Sequence, residues 1–84
     1  MTLYRSYELR DDIDDVIAVA KEFNYPKAAK LLTDLRDQNK LADLIDWIEK
    51  NLTFSNPGHN IGNFFYFLNQ NEQTFRFKFL GENT

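Results

Sequence analysis

Phe64-Phe65-Tyr66-Phe67-Leu68 and Phe75-Arg76-Phe77-Lys78-Phe79-Leu80 are the stretches whose reading decides the fold. Together they hold seven of the thirteen aromatic residues, and the mostly polar Asn69-Gln70-Asn71-Glu72-Gln73-Thr74 lies between them. In the second run Phe75, Phe77 and Phe79 alternate with Thr74, Arg76 and Lys78. A period of two predicts a half-buried antiparallel strand. The first run is apolar throughout and would place aromatics on both faces of a strand. The two runs therefore predict a C-terminal β-hairpin. A two-residue turn at Asn71-Glu72 would pair Leu68 with Phe75, Tyr66 with Phe77 and Phe64 with Phe79 as the buried face. Phe65 and Phe67 would then lie on the outer face beside Lys78 and Arg76. A three-residue turn would exchange the faces, and without a glycine in the turn the register stays open.

That outer face has three readings. Another element of the fold can cover it. It can be an interface with a partner or a second copy. Aromatic and basic residues on a sheet can also stack single-stranded nucleic acid.

Upstream of the hairpin the pattern is helical. Ile13, Val16, Ile17, Ala20 and Phe23 follow the i, i+3, i+4, i+7 spacing of one helix face, predicting a helix over Asp11–Asn24. Asp11 or Asp12 suits its N-cap, and the acids of its first turn complement the helix dipole. Pro26 suits the first turn of a second helix to Gln38, with Ala28, Leu31, Leu32 and Leu35 on its apolar face. Lys30 and Asp34 stand i, i+4 apart on it. After the connection Gln38-Asn39-Lys40, with Asn39 a candidate cap, Leu41, Leu44, Ile45, Ile48 and Leu52 mark a third helix ending near Asn51. Trp47 falls at the flank of that stripe, where a core or rim position is expected. At the start of the chain, Leu3 to Leu9 alternates and predicts a short strand that could join the hairpin. Residues 53–63, with Asn56-Pro57-Gly58, read as a long loop and a secondary site candidate.

These elements predict an α+β fold: three amphipathic helices packed on a small antiparallel sheet. The order strand, helix, helix, helix, hairpin suits a winged-helix arrangement, with the second and third helices as the helix-turn-helix. At 84 residues the chain reads as one domain, 1–84, and 43% hydrophobic content suffices for its core.

Charge and composition narrow the function. The net charge is −3, and residues 1–22 carry all of the excess, with three basic residues against six acidic ones. An acidic chain gains little counterion-release affinity for nucleic acid. The third helix would also turn Asp43, Asp46 and Glu49 toward phosphates. The absence of cysteine excludes disulfides and thiolate chemistry and fits a cytoplasmic location. No apolar run reaches the length of a membrane span, and the first residues lack the form of a signal peptide. Asp11-Asp12-Ile13-Asp14-Asp15 lacks the glycine and the distal glutamate of a calcium loop, so no metal or other cofactor is expected. His59 has no sequence neighbour suited to a catalytic or metal pairing, and no nucleophile elbow or phosphate-binding glycine loop occurs.

The segment Ala29-Lys30-Leu31-Leu32-Thr33-Asp34-Leu35-Arg36-Asp37-Gln38-Asn39-Lys40-Leu41-Ala42-Asp43-Leu44-Ile45 resembles the helix-turn-helix of effector-associated domains of prokaryotic conflict systems. Those are small, death-fold-like adaptors with a leucine-rich helix, a short polar turn and a Leu-x-x-Leu helix. The resemblance covers about a fifth of the chain. It implies recruitment through protein–protein contact and carries over no catalytic residue.

The expected function is a non-enzymatic protein interaction domain, an adaptor, regulator or inhibitor. Its partner would be a protein with a basic surface, met by Asp11, Asp12, Asp14 and Asp15, by the hairpin face of Phe65, Phe67, Arg76 and Lys78, or by both. The acidic end could imitate nucleic-acid charge. The alternative is a winged-helix or single-strand nucleic-acid binder using Phe65 or Phe67 with Arg76 and Lys78. The sequence leaves the oligomeric state open.

Overall fold

The computed structural model describes Leu9, residues 12–51 and residues 61–82. Every regular element among them is helical: α1 (Ile13–Glu22), α2 (Pro26–Asp37), α3 (Leu41–Asn51), α4 (Ile61–Gln70), α5 (Glu72–Phe75) and a π-helical turn over Arg76–Leu80. The α+β and winged-helix expectations are therefore corrected. The described residues contain no strand, sheet or β-hairpin, and the would-be wing is helical. The strand predicted over Leu3–Leu9 lies outside the described residues, apart from Leu9 itself.

The first three helices form where the apolar spacing places them, and local chemistry sets their ends. The Asp12 side chain caps α1, its Oδ1 accepting from the backbone N–H groups of Asp14 and Asp15 at 3.1 and 3.4 Å. Asn24 (φ 66°) closes α1, with Tyr25 N–H donating to the Ala20 carbonyl and Asn24 N–H to that of Lys21. Asn39 (φ 60°) closes α2 in the same way, Lys40 donating to Leu35 and itself to Arg36. Both are Schellman closures, and asparagine is the non-glycine residue that best tolerates the left-handed conformation they require.

The hairpin reading fails for two reasons. Ile61, assigned to a loop from the sequence, begins the apolar stripe Ile61, Phe64, Phe65, Leu68, and all four are buried. That i, i+3, i+4, i+7 pattern is hidden inside five consecutive apolar residues, which a strand and a buried helix produce equally well. In the second run, the alternation of Phe75, Phe77 and Phe79 is a coincidence of composition. Phe75 is buried and Phe79 stacks on it i, i+4 away, ring centroids 5.3 Å apart, while Phe77 is 60% exposed. The polar segment between the runs does not reverse the chain as a hairpin. Only Asn71 interrupts the helix, and its N–H and side-chain Nδ2 both donate to the Phe67 carbonyl.

One core unites the elements. Val16, Ile17 and Ala20 of α1, Ala28, Leu31, Leu32 and Leu35 of α2, Leu44 and Ile48 of α3, Phe64, Phe65 and Leu68 of α4, and Phe75 are all buried. The central element is α2, which packs against α1, α3, α4, α5 and the π-helical turn. Its N-terminus is completed from a distance. Tyr25 supplies no side-chain cap and Pro26 has no N–H, so Lys27 and Ala28 donate instead to Asn69 Oδ1 of α4, at 2.9 and 3.1 Å. Ala29 makes the first regular helical bond, to the Tyr25 carbonyl. No donor of the first turn is left unmatched.

Candidate protein-docking surfaces

The carboxylates singled out from the sequence divide among separate tasks. Asp12 is spent as the α1 cap. Asp14 pairs with the Arg36 guanidinium of α2, tying the start of α1 to its neighbour. Asp37 beside it, and then Asp14, raise the affinity of that guanidinium for its proton, against a smaller opposing effect of burial. Asp15 is exposed. Asp11 lies outside the described residues, as do His59 and most of the predicted loop.

The aromatic and basic residues expected on one sheet face are dispersed by the helices. Phe65 is fully buried against Phe23, Tyr25 and Phe64. Phe67 is half-buried and meets Phe75 edge-on at 5.7 Å. Lys78 is exposed. Arg76 sits in an ion cluster between α2 and the C-terminal helix, with its side chain only 14% exposed. Its Nη1 donates to Asp34 Oδ2 at 2.6 Å and reaches Glu82 Oε2 at 3.4 Å, and its Nε donates to Glu72. Lys30 Nζ completes the cluster by donating to Asp34 Oδ1 at 3.0 Å. Burial works against the Asp34 charge. The hydrogen bonds from Arg76 and Lys30 outweigh it and hold the carboxyl below its ordinary value. Burial also opposes the Arg76 charge, and Asp34 and Glu72 outweigh it. Held by these carboxylates through Nε and Nη1, Arg76 fastens α2 to the C-terminal helical segment.

Two surfaces remain that the sequence alone did not single out. One is an aromatic corner where the α1–α2 turn meets α4. Phe23 and Tyr66 are 43% and 54% exposed, and Tyr25 sits against Tyr66 with ring centroids 6.4 Å apart. The other is an open groove of about 380 Å³ lined by Leu9, Leu41, Ala42, Ile45 and Asp46. Leu41 and Ile45 stand one turn apart on α3, and Leu9 closes the groove from the chain leading into α1. Its floor is apolar, and Asp46 is the charged residue in the described lining. Asp43, exposed on the same helix, stands i, i+3 from Asp46. Leu9 is 3% exposed, so the groove is anchored in the core. The visible signal for it was the acidic side of the third helix; what was missing was Leu9, which no helical period connects to α3.

Trp47, on the other flank of α3, packs edge-on against Phe75 and Phe79 at 5.3 and 6.4 Å. It is a rim residue of the core, as its place beside the stripe predicts. Among the described residues, no three His, Cys, Asp or Glu side chains converge as a metal site would require. No helix among them is long and apolar enough to cross a membrane. No family model, curated protein or solved structure matches this chain.

Proposed function

We propose that this chain is a non-enzymatic protein–protein interaction domain, an adaptor, regulator or inhibitor, that engages its partner through the α3 groove and the carboxylates around it. The observation that carries this reading is the groove itself. It offers an apolar floor with acidic residues at its edge, the arrangement of an interface centre and its polar rim. The lining suits docking rather than acid–base chemistry, because among its described residues one carboxylate, Asp46, stands beside aliphatic side chains. Asp12 and Asp15, exposed at the start of α1, add acidic surface and favour a partner with a basic surface. The resemblance of residues 29–45 to effector-associated adaptors points the same way, and the helical character of every regular element among the described residues suits such an adaptor. The cysteine-free composition supports a cytoplasmic location. The nucleic-acid alternative loses its basis with the hairpin: Phe65 is in the core and Arg76 is held by carboxylates.

The test is affinity capture from source lysate after nuclease treatment, run in parallel with the wild type and the Asp43→Lys/Asp46→Lys variant. A discrete protein retained by the first and lost by the second supports the reading. Equal capture by both, or recovery that disappears with nuclease, overturns it.

A further inference from the structure

We draw no further inference here: the strongest candidate, the aromatic surface patch of Phe23, Tyr25 and Tyr66 where the α1–α2 turn meets α4, is an apolar face, and nothing in the structure shows what covers it.

Discussion

α2 and α3 are neighbours of nearly equal length, and the chain uses them in opposite ways. α2 buries Ala28, Ala29, Leu31, Leu32 and Leu35 and packs against every other regular element described. Both its ends are tied: Asn69 caps its start, Asn39 closes its end, and Asp34 joins it to Arg76. α3 buries a narrower stripe, Leu44, Ile45 and Ile48, and adds Trp47 on one flank. Its other flank carries the groove and the carboxylates. Both helices are amphipathic, so the difference is not in their pattern. It lies in the neighbours that each surface finds among the described residues. A helix with partners around it becomes framework, and a helix with a free flank can bind.

The comparison makes substitutions in α2 costly for stability and substitutions on the free side of α3 costly only for binding. The largest effect should come from Leu32→Ala. Leu32 is fully buried, and removing its side chain should cost about 3 kcal/mol in urea-induced unfolding. That is a large share of the few kcal/mol that hold a domain of this size together. A loss below about 1 kcal/mol would mean that α2 is not the framework.

Arg76→Met comes next, at about 2 kcal/mol, because Asp34 and Glu72 would keep their half-buried charges without the guanidinium. The same cluster predicts a pH dependence. The folded-state value of Asp34 lies below the unfolded one, so its stabilisation is complete at neutral pH. It is lost as the pH falls through the depressed folded value. The gap in urea midpoint between wild type and Asp34→Asn should therefore narrow below about pH 4. A gap unchanged down to about pH 2 would show that Asp34 does not act through its charge.

Asn69→Ala should cost about 1 kcal/mol by freeing the Lys27 and Ala28 N–H groups, and hydrogen exchange at those two amides should quicken. Asn69→Asp retains an acceptor and should restore most of the loss. The smallest stability effect belongs to α3. Asp46→Lys should stay within about 0.5 kcal/mol of wild type while abolishing partner capture. A variant that unfolds instead would make the free flank of α3 part of the framework and dissolve the distinction.

The sequence by itself determined α1, α2 and α3. Their stripes repeat at the helical period, Asp12 and Pro26 mark starts, and Asn24 and Asn39 mark ends, all through contacts within a few residues. It also exposed the acidic character of α3 and the flanking place of Trp47. Tertiary structure decided the rest. Residues 64–68 are apolar at every position, so no local rule separates strand from helix. Packing of Ile61, Phe64, Phe65 and Leu68 against α2 makes the choice. Phe75, Phe77 and Phe79 have equal claims to burial by composition, yet the π-helical turn stacks the first and third and turns the second to solvent. Asn69 becomes a cap only because folding carries it to a helix start 42 residues away in sequence. The groove beside α3 has the same origin. Leu9 and Ile45 belong to no common period, and they line one groove only once the core has drawn Leu9 against α3.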